Sequence, residues 1–340
     1  MQEPYSVKLA SYVARRDKAE RKWPDFISFD ITSRCNFCCI HCYNNSGDGK
    51  GDLTRGEIID VAKQIVELHP YNVCLCGGEP LTSPYLFDII NTIKNGKTLV
   101  TLVTNGYLLT EGLCEKLVSH GIEGVQVSLD GAFSWQHDTI RGIDGSFYKA
   151  INAIKQLKNA GMKQVSTSCL PSKLNVGYMA DYVRLCLSMG VDNIRCMPFL
   201  ASGRGRTEGS DLMLDEDGYF RFCRELVKLR RKYIGKINIE WDDALSLILY
   251  EKNLVNDDNK TLNIEIRHNG DIVPTDYFPI VAGNITRHRL SEYWFGGYDY
   301  IWKSEIIKNY IHDFHNTEDI LRLKPLPYSG EEIKFDLLEV

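Results

Sequence analysis

No apolar run in this 340-residue chain reaches the roughly 20 residues needed to cross a bilayer. No low-complexity tract or repeat of about 20 to 50 residues is visible, which argues against a solenoid. Met1 to Ala10 lacks the apolar core of a secretion signal, so a cytoplasmic location without a membrane partner is expected, and disulfides are not. A basic excess is missing too: 40 Lys and Arg stand against 45 Asp and Glu, a net charge of -5 with a pI of about 5.9. Nucleic acid is therefore not expected as the main partner, because phosphate binding leaves a basic footprint. Cysteine is plentiful, at eleven, yet none follows Cys223.

Four of those cysteines crowd into Cys35-Asn36-Phe37-Cys38-Cys39-Ile40-His41-Cys42. The alternating run Phe26-Ile27-Ser28-Phe29-Asp30-Ile31 precedes them and reads as a buried strand, so the thiols sit in the loop at its C-terminal end. Active sites of parallel α/β folds form at that end. Thiols this dense in a reducing compartment suit a soft metal. Taking Cys35, Cys39 and Cys42 gives a C-x3-C-x2-C set with Cys38 spare, and the four together do not fit the bacterial ferredoxin run. Three ligands on a four-iron cluster leave one iron open to a substrate or cofactor. The alternative is a structural zinc with His41 as fourth ligand.

Downstream the chain alternates. Thr54 is a plausible N-cap, with Glu57 three residues on, for a helix through about Leu68. Strands at Val73–Cys76, Leu99–Val103, Val125–Ser128, Val165–Cys169 and Asn193–Met197 are separated by predicted helices, with a last helix over 215–233. Strand then helix, with short loops, implies a parallel sheet covered by helices. Counting the first strand, this predicts an α/β fold with a (β/α)6 partial TIM-like barrel over 25–235. A charged helical extension is expected over 1–24.

Phe29-Asp30-Ile31-Thr32 followed by Cys35, Cys39, His41 and Cys42 resembles the signature of the radical S-adenosylmethionine (radical SAM) superfamily. The resemblance implies one [4Fe-4S] cluster held by Cys35, Cys39 and Cys42. The open iron would chelate the amino and carboxylate groups of S-adenosyl-L-methionine, and one electron would cleave it to a 5'-deoxyadenosyl radical that takes hydrogen from substrate. An electron donor such as flavodoxin or ferredoxin is implied. Gly77-Gly78-Glu79-Pro80 is similar to the family motif whose backbone contacts the methionine amino group, and Thr104-Asn105-Gly106 to another recurrent element near the site. Ser128 and Asp130 are candidate ribose or ammonium contacts. His137-Asp138 and Arg141-Gly142 resemble a pattern in peptide-modifying members, where Arg141 would hold a carboxylate or form an ion pair. Met197 and Phe199 are candidates for an adenine floor or for core packing, and Arg204 and Arg206 for substrate steering or plain solvation.

Beyond residue 236 the rhythm changes. Leu262 to Ile266, an Asn269-Gly270 turn and Ile272-Val273 read as a hairpin. The order resembles a SPASM/Twitch region of peptide maturases over 236–310, a small α+β cap, with a tail over 311–340. Where those relatives place cluster cysteines this chain has Val273-Pro274-Thr275-Asp276, so an auxiliary cluster lacks its usual ligands. Without an electron acceptor, returning a hydrogen atom to the substrate radical becomes attractive. Cys169 and Cys196 are candidate donors at strand ends, with Cys223 on the next helix. Modification of a ribosomally made peptide, with epimerisation as a coherent route, is the leading expectation. The alternatives are dehydration, decarboxylation or oxidation of a sugar or nucleoside-type small molecule, and a non-catalytic zinc-binding protein.

Overall fold

The computed structural model describes residues 22–197, 199, 202–241, 260–312 and 327–339. The helical extension expected over 1–24 lies outside them except for its last three residues. In chain order the regular elements are β1 (Phe26–Asp30), α1 (Arg55–Glu67), β2 (Asn72–Cys76), α2 (Leu86–Lys94), β3 (Leu99–Thr104), α3 (Glu111–Ser119) and β4 (Gly124–Ser128). Then come α4 (Ser134–Arg141), α5 (Ser146–Asn159), β5 (Gln164–Cys169), α6 (Met179–Ser188), β6 (Asn193–Cys196), α7 (Gly203–Thr207) and α8 (Glu216–Lys232). The last group is β7 (Asn238–Trp241), β8 (Asn263–Ile266), β9 (Asp271–Val273), β10 (Ile280–Val281), β11 (Gly283–Asn284), α9 (Leu290–Phe295), α10 (Glu305–Ile311) and β12 (Ile333–Lys334).

Local chemistry sets the ends of these elements. The Thr54 N–H donates to the Glu57 carboxylate at 2.8 Å, and the Glu57 N–H donates back to the Thr54 hydroxyl at 3.4 Å, a reciprocal cap that starts α1. The helix α4, which the sequence reading passed over, stops at Gly142, whose φ of +71° is open to a residue without Cβ.

The strands β1 to β7 run parallel in sequence order, one strand more than the alternation predicts. On the far side of β1 lies β8, also parallel, with Phe26 opposite Asn263 and Phe29 opposite Ile266. The expected hairpin is present as antiparallel β8 and β9, and through β8 it continues the main sheet, giving ten strands in the order β11-β9-β8-β1-β2-β3-β4-β5-β6-β7. The expected tail folds back: β12 pairs with β10, and the Ser202 hydroxyl donates to the Pro327 carbonyl at 2.6 Å.

Strand alternation gives this sheet two unlike faces. Ile27, Phe29, Val73, Leu75, Val100, Leu102, Val125, Val127, Val165, Ile194 and Ile239 point to the helices and are at most 1% exposed. Each such side chain contributes about 1.5–3 kcal/mol to burial. The opposite, inner face carries Ser28, Cys74, Cys76, Thr101, Gln126, Ser166, Ser168 and Arg195, all partly accessible. Where that face meets the C-terminal ends of the strands, the thiol loop crosses it.

Candidate functional site

The thiol loop is held by side chains from distant parts of the chain. Asp52 accepts from the Ser33 N–H at 2.7 Å and the Ser33 hydroxyl at 2.8 Å, and the Thr32 hydroxyl donates to it as well. Arg204 donates to the Cys39 carbonyl at 3.0 Å, the Asn45 side-chain oxygen at 2.9 Å and the Ser46 carbonyl at 3.1 Å. This guanidinium therefore clamps the loop, and the steering or solvated roles expected for it do not describe it. A Cβ on Gly203 would meet the Cys42 carbonyl oxygen at 2.5 Å, so α7 can approach because that residue is glycine.

Cys35 and Cys42 are partly accessible, Cys39 is buried, and Cys38 is exposed. Burial pushes the Cys35 thiol up to about 12, with Cys39 and Cys42 near enough to add to the shift, and burial likewise raises Cys39. Among the described residues, the group of three donors lying within 4.8 Å of one another is His288, Asp336 and Glu339. At least one pair among the Cys35, Cys39 and Cys42 sulfurs thus stands wider apart than one zinc ion would hold it, since Zn–S bonds of about 2.3 Å place tetrahedral sulfurs about 3.8 Å apart. His41 is also turned to the Ile140 carbonyl, at 3.4 Å from Nδ1, and burial, then Arg141, lowers it to about 4. Soft donors set this widely fit a four-iron cluster better than a single zinc ion.

The other predicted loops meet beneath the thiols. A Cβ on Gly77, at φ +123°, would lie 2.3 Å from the Thr32 carbonyl oxygen, and one on Gly78 would lie 2.3 Å from that of Arg34. The approach is sealed by the Gly78 N–H to Thr32 and the Glu79 N–H to Arg34, both 2.8 Å. Pro80 opens a short turn and is buried. The Glu79 carboxylate of that motif is fully buried and has partners within the protein. It accepts from the Thr104 hydroxyl at 2.7 Å, the Asn105 N–H at 2.7 Å and the Leu81 N–H at 3.1 Å, while burial raises its pKa. Asn105 in turn donates to Asn36 of the thiol loop at 2.9 Å.

Asp130 and Arg141 form a buried pair, Nε to Oδ2 at 2.6 Å, so of the two roles expected for Arg141 the ion pair is the one present. Burial opposes the Asp130 charge, but Arg141, then His41 and His137, hold it down to about 2. Its second oxygen accepts from the Leu170 N–H at 3.0 Å, and its own N–H donates to His137 Nδ1 at 3.1 Å. Arg141 Nη1 lies 3.9 Å from Cys39 Sγ, placing a fixed cation against the thiol cluster. Ser128 ends β4 beside Ser168, at the rim of the inner face. Met197 and Phe199 are half-buried after β6.

The three thiols expected to face substrate do not. Cys169 shares its side of β5 with Val165 and Thr167; Thr167 is bonded to Tyr182 at 2.9 Å and lies 3.6 Å from the Cys186 sulfur, both on α6. Cys196 is opposite Cys169 in register and equally buried. Both pack toward the helices, because a residue's face follows strand parity and its nearness to the strand end does not alter that. Cys223 lies on α8, in the helix layer. The inner face instead carries Cys74 and Cys76, which sequence reasoning missed; alternation in Asn72-Val73-Cys74-Leu75-Cys76 was the available signal.

Residues 29–186 match the radical SAM superfamily. The AdoMet-dependent heme synthase of Methanosarcina barkeri is 26% identical over 293 residues, 80% of this chain and 82% of that protein. The mycofactocin maturase MftC of Mycobacterium tuberculosis is 30% identical over 190 residues, and this match covers 56% of the chain and about half, 48%, of the maturase. Streptococcus suis SuiB bound to its precursor peptide SuiA has a similar fold, with a TM-score of 0.70 at 14% identity over 100% of this chain and 82% of that one. No helix among the described residues is long and apolar enough to cross a membrane.

Proposed function

This chain is a radical SAM enzyme, and on that premise we propose that it removes a hydrogen atom from a ribosomally made peptide. Radical SAM enzymes use a [4Fe-4S] cluster and S-adenosylmethionine, and that pair when bound supplies the 5'-deoxyadenosyl radical. In this reading Cys35, Cys39 and Cys42 are the cluster ligands and Cys38 is not. Arg204 and Asp52 fix the loop that presents those thiols, and Arg141 places positive charge beside Cys39, favouring its thiolate. Gly77 and Gly78 let backbone groups approach the cofactor's methionine end, while Ser128 lies where a ribose hydroxyl could be met. Glu79 acts through Thr104 and Asn105, tying the loops after β2 and β3 to Asn36. A one-electron carrier of the flavodoxin or ferredoxin kind is the proposed reductant.

The observation that carries the reading is the thiol loop, locked over an accessible, polar inner face. The peptide assignment is supported by the 30% identity to a maturase and by a whole-chain fold shared with a protein that binds a precursor peptide. A small-molecule substrate is the second reading, favoured because the heme synthase match spans 80% of this chain. Epimerisation is the peptide chemistry we favour: hydrogen is removed and returned, and the hairpin region has no cysteine to hold an electron-accepting cluster.

The test is anaerobic reconstitution with iron and sulfide, followed by reduction with S-adenosylmethionine in the presence of short peptides encoded beside the gene. Expected are about four irons per chain, 5'-deoxyadenosine, and one solvent hydrogen per modified peptide. Iron-free protein, or 5'-deoxyadenosine whose yield responds to small molecules and to no peptide, would overturn the assignment at its respective level.

A further inference from the structure

A cluster on the inner face is used by none of the roles above. Cys76 is the last residue of β2, next to Gly77, and Asp30 is opposite it at the end of β1. Its sulfur lies 3.1 Å from the Ser28 hydroxyl and 3.6 Å from the Cys74 carbonyl. Asp30 lies beside Cys76 and within electrostatic reach of Asp276 and Arg267. Tyr43 and Tyr328 bond to Asp276, as does Glu265, while Arg267 lies 3.8 Å over the Tyr328 ring and pairs with Glu332 at 3.1 Å. Strands β1, β2, β8 and β9, the thiol loop and the 327–339 segment therefore converge on one thiol and one carboxyl.

Three features separate this thiol from Cys169 and Cys196. It is partly accessible, whereas Cys169 and Cys196 are 1% and 0% exposed. It lies beneath the thiol loop, with Gly77 fixed against both Thr32 and Asp30. It also has an acidic neighbour that can exchange a proton with it.

We propose that Cys76 is a catalytic residue that gives the substrate radical its returning hydrogen atom, with Asp30 as its proton partner. This deepens the proposed function and rests on its radical chemistry and on the return of hydrogen to the substrate. The Cys76 S–H bond breaks and a substrate C–H bond forms, leaving a thiyl radical on Cys76. One electron from the carrier protein and one proton from Asp30 restore the thiol, and Asp30 regains its proton from solvent. Burial, and then the Asp276 charge, raises Asp30 to about 7, so near neutral pH it is protonated often enough to supply that proton.

Two measurements test this without a known substrate. In the reconstituted protein, iodoacetamide at raised pH with peptide mapping should label Cys76 well before Cys169 and Cys196; labelling no faster than theirs would overturn the proposal. Cofactor cleavage in deuterated water without substrate and with a thiol-free reductant should place deuterium in 5'-deoxyadenosine, drawn from the exchanged Cys76 thiol. Deuterium per molecule of 5'-deoxyadenosine should fall at least about threefold in Cys76→Ala and Cys76→Ser, and Asp30→Asn should shift the pH dependence of labelling. Unchanged deuterium in both Cys76 variants would sink the assignment. Absence of 5'-deoxyadenosine from the unaltered protein would instead count against the activity reading, and alkylation would still decide whether Cys76 faces the cavity.

Discussion

The same residue type occupies both faces of one sheet and meets two different environments. Cys169 and Cys196 lie among Val165, Thr167, Tyr182 and Cys186, away from water, and pack as small apolar groups. Cys74 and Cys76 point the other way, into a polar recess shared with Ser28 and Asp30. The difference teaches that a thiol's surroundings here are assigned by strand parity, which decides whether it meets the helices or the polar inner recess. The same division separates Glu79 and Asp130, carboxylates occupied by protein donors, from Asp30, a carboxyl beside an accessible thiol.

The largest effect should come from the thiol loop. Replacing Cys35, Cys39 or Cys42 with Ala is expected to remove most iron and lower 5'-deoxyadenosine formation about a hundredfold or more, whereas Cys38→Ala should leave iron content unchanged. Iron retained in Cys39→Ala, or lost in Cys38→Ala, would break the grouping. Next comes the charge pair behind Cys39. Arg141→Ala leaves Asp130 buried without its counter-ion and should cost about 3–5 kcal/mol, read from urea midpoints at constant m-value. A loss below about 1 kcal/mol would mean that water reaches Asp130.

Asp30 sharpens the contrast between the faces through pH. Its folded pKa is raised from 3.8 to about 7, so between those values the folded chain keeps a proton that the unfolded chain has released. Stability should therefore fall as pH rises through that window. Asp30→Asn should flatten the fall, with a difference of at most about 4 kcal/mol developed above pH 7. Parallel stability curves for the two proteins between about pH 4 and pH 8 would show that Asp30 is solvated.

Much of this was legible in the sequence. The strand before Cys35, the capping box at Thr54 and Glu57, and the repeated strand and helix gave the parallel sheet, because each depends on residues close together in the chain. The place of the thiol loop, just after β1, was legible for the same reason. Less visible were features set by distant pairing. Nothing local says that β8 aligns with β1, that Arg204 reaches the Cys39 carbonyl, or that Glu79 is enclosed by Thr104 and Asn105. The face of Cys169 was recoverable in principle, since Gln164-Val165-Ser166-Thr167-Ser168-Cys169 alternates, but its polar residues on both sides blur the pattern. Helix α4 was hidden by its polar composition, and β7 by its distance from any further repeat.

The smallest predicted effect closes the comparison between the two thiol pairs. Cys169→Ala removes one sulfur from a dry contact with Cys196 and Asn175, and should cost about 1–2 kcal/mol through lost packing alone. The alkylation pattern of Cys76 and the deuterium content of 5'-deoxyadenosine should not move, because the two sulfurs lie on opposite sides of the sheet. If Cys169→Ala lowered deuterium incorporation as much as Cys76→Ala, hydrogen delivery could not depend on which face a thiol occupies. A change in stability alone would instead leave parity as the property that separates a packed cysteine from a reactive one.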